Sequence, residues 1–234
     1  MVHSVDVVWG LSGARSLSES CDVLALVDVL SFSTSLTIAV ARGAEVWPAA
    51  WGTDGAEHLA REIGATLARG RSTRQGATLS PASLVAFGFE PGSRLVLPSP
   101  NGSGIAHAAV GSDQPVLGAC LRNASAAADA LRAYERVGIV AAGERWPDGS
   151  LRPAYEDWLG AGLLVAALSG PGVALTPDAE AAAAASRVRR PLAQCPSGAE
   201  LIGRDFAEDV ALADELDVET VVPVLSSGRF VALV

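Results

Sequence analysis

Short apolar runs recur along this chain, each followed by a polar or glycine-rich break and then a stretch with helical spacing. The clearest is Val23-Leu24-Ala25-Leu26-Val27-Asp28, wholly apolar until it ends in a carboxylate. Such a run marks a central strand buried on both faces, the state of a parallel sheet covered by helices. Residues 5–9, 44–48, 94–97, 115–119 and 137–141 read as further strands. Helical spacing is expected after residue 29 as far as Arg42-Gly43, and over 54–68, 124–136, 154–168 and 178–189. Shorter helices are expected from Pro81, from Ile105, and around 199–202 and 207–216. Residues 10–19 and 71–92 read as loops, and 220–225 with 229–234 as a closing hairpin. Strands alternating with helices imply an α/β fold with a largely parallel or mixed sheet.

At 234 residues the chain suits one α/β domain, or two lobes divided near 170–200. A net charge of −9 argues against sequence-independent nucleic-acid binding and against an anionic membrane surface. It does not forbid an anionic substrate, because a local arginine pocket can overrule the net field. Lysine is absent and all 17 basic residues are arginine, which excludes a Walker A lysine, a pyridoxal-phosphate Schiff base and any lysine nucleophile. Cys21, Cys120 and Cys195 are widely spaced and odd in number, so reduced thiols are expected rather than a disulfide framework. The first residues lack a signal-peptide pattern, and no apolar run approaches the ~20 residues needed to span a bilayer. The expectation is a cytoplasmic protein, with a homodimer as the base-rate oligomer.

In α/β folds ligands bind at the carboxyl ends of the strands. Four loops predicted there are rich in hydroxyls, amides or charges: Asp28 with Ser31, Ser33 and Thr34; Ser99 with Asn101 and Ser103; Arg122 with Asn123 and Ser125; and Glu144-Arg145 with Glu156-Asp157. In the second loop a strand passes through Pro98-Ser99-Pro100-Asn101-Gly102-Ser103-Gly104 into a helix. Unpaired N–H groups at that helix start, with the dipole behind them, suit a phosphate. Carboxylates with no histidine cluster suit a hard cation such as Mg2+ rather than zinc. His107 is the only histidine near these loops.

Each residue also has a plainer reading. Asp28 and Asn123 suit helix caps, Arg122 a surface cation, and Glu156 and Asp157 acids that complement a helix dipole. Cys120 lacks an evident base partner and reads as an inert thiol, and Trp47, Trp146 and Trp158 read as packing. Familiar phosphatase patterns are missing: no cysteine has an arginine six positions later, and Leu30 stands where an aspartyl-nucleophile motif needs its second Asp. There is no GxSxG elbow and no GxGxxG fingerprint.

Taken in order, Asp28-Val29-Leu30, Pro100-Asn101-Gly102-Ser103, Leu121-Arg122-Asn123-Ala124, Ala142-Gly143, and Glu156-Asp157 with Gly160-Ala161-Gly162 form a pattern. It continues through Gly203-Arg204-Asp205-Phe206-Ala207-Glu208-Asp209-Val210 to Val221-Val222-Pro223-Val224. From about residue 5 to the end, this resembles the 2-phosphosulfolactate phosphatase (ComB-like) family. The resemblance implies a three-layer α/β/α fold. It also implies a Mg2+-dependent acid phosphatase converting (2R)-2-phospho-3-sulfolactate to 3-sulfolactate and phosphate in coenzyme M biosynthesis. One departure is Ser31, where many members carry Arg.

On this reading Asp28, with Glu156 or Asp157 and with Glu144, holds Mg2+, and Asp28, Arg145 and Glu156 are the catalytic candidates. Ser99, Asn101, Gly102, Ser103 and Asn123 bind phosphoryl oxygens, and Ser33 and Thr34 are further substrate-binding candidates. Arg122 or Arg145 offsets charge on the phosphate or a second acid group, using the planar fork that matches oxyanions. The expected partner is a small anionic phosphorylated substrate. The alternatives are a phosphatase for another 2-phospho-hydroxy acid and a non-catalytic anion-binding homologue.

Overall fold

The computed structural model describes residues 1–52, 54–73, 75–110 and 114–233. Val23–Val27 (β2) is buried at every position, as an apolar run in the middle of a covered sheet must be. Its residues alternate between two cores. Val23, Ala25 and Val27 pack in one core with Leu131, Leu159 and Leu164, while Leu24 and Leu26 pack in the other with Leu17, Leu36 and Ile105. Burying one such leucine contributes roughly 1.5–3 kcal/mol. Both faces of the sheet are therefore covered, and the fold is a three-layer α/β/α arrangement.

The remaining strands of the main sheet are Ser4–Trp9 (β1), Glu45–Ala50 (β3), Thr66–Leu67 (β4), Arg94–Ser99 (β5), Val116–Ala119 (β6) and Arg136–Ala141 (β7). A separate two-stranded hairpin pairs Glu144–Arg145 (β8) with Leu151–Arg152 (β9). Ala174–Leu175 (β10), Pro223–Ser226 (β11) and Arg229–Ala232 (β12) complete the main sheet, in the order β10-β1-β7-β2-β6-β11-β12-β3-β5-β4. One helical layer contains Ala124–Leu131 (α6), Tyr155–Leu168 (α7) and Pro177–Ser186 (α8), and α8 packs along α7. The other contains Gly10–Leu17 (α1), Phe32–Ala41 (α2) and Gly102–Ala108 (α5). Asp54–Glu62 (α3) covers the β3–β5 end, while Pro81–Ala86 (α4), Pro196–Ile202 (α9) and Ala207–Asp214 (α10) gather near the loop after β2. Residues 170–200 join the main sheet through β10. Among the described residues no helix is long and apolar enough to cross a membrane.

Helix α2 organises the centre. Residues 32–40 are all buried, hydroxyls included. Three of those hydroxyls are satisfied by backbone carbonyls: Ser33 donates to Leu26 at 3.0 Å, Thr34 to Val29 at 2.7 Å and Ser35 to Leu79 at 2.9 Å. Thr37 Oγ1 accepts from Cys120 Sγ at 3.7 Å, so each of the four buried hydroxyls has a partner, as full burial requires. Three antiparallel pairings, β6–β11, β11–β12 and β12–β3, interrupt the parallel ladders, so β3, β5 and β4 run opposite to β1, β7, β2 and β6 along the sheet. Helix α2 touches β6, β12 and β3, and the Gly102 N–H donates to Asp28 Oδ2, so the loop after β5 meets the loop after β2 although the two strands run in opposite directions.

Several boundaries differ from the sequence expectations. Residues 10–17 are helical rather than loop: Gly10, Ala14 and Leu17 bury one face against the sheet, a spacing that the surrounding Gly and Ser residues obscure. Helix α3 stops at Glu62 because Gly64 takes a left-handed φ of +64°, and Thr66–Leu67 then adds a short strand beside β5. Helix α6 stops at Leu131 rather than reaching residue 136, where β7 begins. The expected hairpin forms as β11–β12, turning at Ser227 and Gly228, both with positive φ; Val234, its expected last residue, lies outside the described residues.

Candidate active site

A cavity of about 270 Å³ opens where these loops converge. Asp28, Leu30 and Ser31 line it from the β2 loop; Ser99, Pro100 and Asn101 from the β5 loop; and Glu144 from β8. Trp51, Gly70, Arg71, Ser72, Leu79, Ser197, Glu200, Leu201 and Arg204 complete its wall. Its lining brings three carboxylates, Asp28, Glu144 and Glu200, together with two arginines, Arg71 and Arg204.

Asp28 stands at the carboxyl end of β2, with its side chain spanning two helix starts. Oδ1 accepts the Phe32 N–H at 3.1 Å and Oδ2 accepts the Gly102 N–H at 2.7 Å. It is thus a cap of α2 and a link to α5 while still lining the cavity. Burial pushes its pKa up to about 6; the two backbone N–H groups and the Arg71 charge pull down, and the Glu156 charge adds a smaller push upward. Gly102 is required for this approach: a Cβ there would lie 2.5 Å from Asp28 Oδ2 and 2.8 Å from Phe32 Cδ1.

The β5 loop is more self-contained than its composition suggests. Besides the Gly102 N–H taken by Asp28, the Ser103 N–H goes to Ser99 Oγ at 2.8 Å, and Ser103 Oγ donates to Ala49 O at 2.7 Å. The backbone donors expected to hold a phosphate are spent on the protein itself. What the loop presents to the cavity is Ser99 and Asn101. The Asn101 Nδ2 donates to Glu144 Oε2 at 3.0 Å. Burial first, then the Asp28 and Glu156 charges, push the Glu144 carboxyl up to about 7.

Glu156 and Asp157 begin α7, and both are buried. Asp157 Oδ1 accepts the Val29 N–H at 2.7 Å and Oδ2 the Gly143 N–H at 2.8 Å, so its carboxylate staples the β2 loop to the β7 loop. Burial and the neighbouring Asp28 and Glu156 charges push its pKa well up. Glu156 Oε2 accepts from Cys195 Sγ at 3.3 Å, and neither carboxylate is in the cavity wall. Burial, with the Glu156 charge next, pushes the Cys195 thiol up to about 12, which keeps it a neutral donor. Among the described residues no three His, Cys, Asp or Glu side chains are grouped as a metal-ligand set.

The other sequence candidates have local duties. Ser33 Oγ accepts the Asp28 N–H at 3.1 Å and Thr34 Oγ1 bonds to Val29 O, so both shape the β2 loop from inside. Asn123 is fully buried, accepting the Cys120 N–H at 2.9 Å and donating to Gly118 and Val221 carbonyls. The structure does not bring Arg122 to the cavity. Its guanidinium is drawn to Glu215, to Glu219 at 3.2 Å and to Leu212 O at 2.8 Å, pinning the C-terminal segment. Arg145 is exposed, donates to Gly149 O at 2.9 Å, and lines a neighbouring cleft with Trp9 and Leu151. His107 belongs to the last turn of α5 and is not in the cavity wall.

The cavity arginines were hidden in the sequence. Arg71 lies in a stretch read only as loop, and the resemblance quoted Arg204 without assigning it a role. Arg71 Nε donates to Asp209 Oδ2 at 3.0 Å and its Nη2 donates to Ser31 Oγ. The serine at position 31 is therefore partnered by a guanidinium from another loop. Glu200, also in the wall, receives Arg152 in a fork, at 2.9 and 3.1 Å.

A family model, 2-phosphosulpholactate phosphatase, matches residues 13–228 of the 234. The match takes in every loop that lines the cavity, and the family is one of phosphoric monoester hydrolases. The chain belongs to the 2-phosphosulpholactate phosphatase family.

Proposed function

We propose that the chain is a Mg2+-dependent phosphatase of small 2-phospho acids, and that its reaction is hydrolysis of (2R)-2-phospho-3-sulfolactate to 3-sulfolactate and phosphate, a step toward coenzyme M. The observation that carries this reading is one cavity lined by the carboxylates Asp28 and Glu144, the arginines Arg71 and Arg204, and the polar side chains Ser99 and Asn101. A phosphate ester bearing further acid groups meets there both carboxylates suited to a cation and guanidinium forks.

The donor set fits Mg2+. That ion prefers oxygen ligands and is commonly held by one or two carboxylates, with water and substrate phosphate completing its shell. Asp28 and Glu144 are the cavity carboxylates not taken by an arginine fork, and the Asp28 charge helps to raise the proton affinity of Glu144, a repulsion that a cation relieves. When bound there, Mg2+ supplies charge neutralisation for phosphoryl transfer. Phosphoryl transfer demands mostly alignment and offset of charge. Asn101 orients Glu144, Ser99 offers a hydroxyl to the phosphoryl oxygens, and Arg71 counters charge on the substrate. Asp157 and Glu156 act on this reading through the loops they hold rather than at the reacting atoms. The three cysteines are free thiols, which suits a reducing compartment.

The test is phosphate release from 2-phospho-3-sulfolactate and from p-nitrophenyl phosphate, with Mg2+ and with EDTA. Turnover that needs Mg2+ and that Asp28→Asn abolishes is expected. Near wild-type turnover by Asp28→Asn would remove Asp28 from the chemistry. The stereochemical course at phosphorus, read with an isotopically chiral phosphate ester, then separates direct water attack, which inverts configuration, from an aspartyl-phosphate, whose two displacements retain it.

A further inference from the structure

We propose that Arg71 and Arg204, gathered at the ring of Phe206, form the receptor for the acid groups that a substrate carries beside its phosphate, and that Asp209 is the positioning residue that aims Arg71. This deepens the phosphatase reading and rests on it for the identity of the cavity.

Both guanidinium carbons lie over the Phe206 ring, each 6.0 Å from its centroid. A ring in that position holds two like charges near each other by facing each with its negative π surface. Arg71 is held further. Its side chain is 13% exposed and meets Asp209, which is 1% exposed. Asp209 is itself immobilised by Ser80 Oγ and by the Ala82 N–H at 3.1 Å, at the start of α4. With Nε given to Asp209 and Nη2 to Ser31, the Nη1 group of Arg71 makes no hydrogen bond among the described residues while the side chain lines the cavity. Arg204 lines the same wall and makes no ion pair among the described residues.

The cavity's carboxylates explain why these arginines select rather than merely attract. Asp28 and Glu144 repel any carboxylate or sulfonate placed beside them, while Glu200 is offset by the Arg152 fork, so an additional acid on the substrate is tolerated only beside the guanidinium groups. A planar fork fixed by a buried anchor loses little freedom on binding an oxyanion, so it discriminates where a flexible cation would not. A bare phosphate monoester makes no use of these arginines; a 2-phospho acid does.

Three substrates separate the possibilities: isopropyl phosphate with no second acid, 2-phospholactate with a carboxylate, and 2-phospho-3-sulfolactate with a carboxylate and a sulfonate. In Arg71→Met, kcat/KM for 2-phospholactate relative to isopropyl phosphate should fall at least tenfold, mainly through KM. Arg204→Met should do the same most strongly for the sulfonate-bearing substrate. Asp209→Asn should raise KM for the acid-bearing substrates with less change in kcat, a split that general loosening of the fold does not produce. Added guanidinium ion should partly restore Arg71→Gly. Because Asp209 is buried and its variant could unfold, Arg71→Lys supplies the second arm: it keeps the charge, loses the fork, and should lower the same ratio.

Calorimetric binding of 3-sulfolactate and of lactate, each without phosphate, reads the receptor without turnover. Selective loss of 3-sulfolactate binding in Arg71→Met and Arg204→Met, in a protein that hydrolyses none of the three esters, would overturn the phosphatase reading and leave this inference standing. Hydrolysis with unchanged substrate ratios in Arg71→Met, Arg71→Lys and Arg204→Met, or equal 3-sulfolactate binding by wild type and these variants, would overturn this inference and leave the phosphatase reading standing.

Discussion

Asp28 Oδ2 accepts the backbone N–H of Gly102 at 2.7 Å, across 74 residues of sequence. One hydrogen bond thereby joins the central strand's loop to the helix that follows β5. A carboxylate that lines the cavity is also the group that keeps two helix starts together, so cavity and fold share a residue.

Gly102→Ala tests that closeness. The added Cβ would meet Asp28 Oδ2 at 2.5 Å, so the loops must part, at a cost of about 1–3 kcal/mol. A lower melting temperature and loss of phosphatase activity are expected. Gly104→Ala is the control: nothing lies within 4 Å of its Cβ, and alanine's helix preference should leave stability equal or up to ~1 kcal/mol higher. Equal melting of the two variants would contradict the contact.

Asp28→Asn replaces one acceptor by a donor. Whichever way the amide is oriented, it faces the Phe32 or the Gly102 N–H with an NH2 group, leaving a buried donor unmet at about 1–3 kcal/mol. Loss of turnover on the order of 10²–10³-fold is expected, the scale for removing one preorganised electrostatic group. Denaturant melts with kinetics at matched folded fraction distinguish the two effects.

The raised carboxyls predict an unusual dependence of stability on pH. Glu144 is pushed up to about 7 from an ordinary glutamate value, so the folded state binds its proton more tightly than the unfolded chain does. The corresponding stabilisation is complete in acid and is lost as pH rises through about 7. In EDTA the melting temperature should therefore fall between about pH 5 and 8, Glu144→Gln should flatten that fall, and Mg2+ should offset it at the alkaline end. A melting temperature that rises over this range in EDTA would reverse the sign.

Asp157 should matter more for stability than Glu156. Truncation to alanine strands the Val29 and Gly143 N–H groups, each costing about 1–3 kcal/mol, whereas Glu156 takes one bond from a thiol. Urea midpoints of Asp157→Ala and Glu156→Gln give the comparison, and a smaller shift for Asp157→Ala would show that the staple carries little.

The family pattern and the α/β alternation were legible because they are local: apolar runs of strand length, turn residues between them, and short motifs in a fixed order. Asp28 could be picked out for the same reason, as a lone carboxylate ending an apolar strand. Arg71 and Asp209 could not, since their meaning is a contact between a loop and a helix 138 residues apart. Arg122 illustrates the converse. An arginine at a strand end reads as an anion binder, yet Glu215 and Glu219 fold back onto it and claim its fork.

By itself the sequence determined most of the run of strands and helices, though not α1, β4 or β10, together with the absence of lysine chemistry and the family, all carried by composition, periodicity or motif order. Only the tertiary structure decided which polar groups face the cavity and which are spent inside the protein. The physical reason is that a carboxylate, hydroxyl or N–H has few bonds to give. Whether Ser103 or Asp157 uses its bonds on a ligand or on a neighbouring loop depends on which backbone the packing of distant segments brings within hydrogen-bond reach.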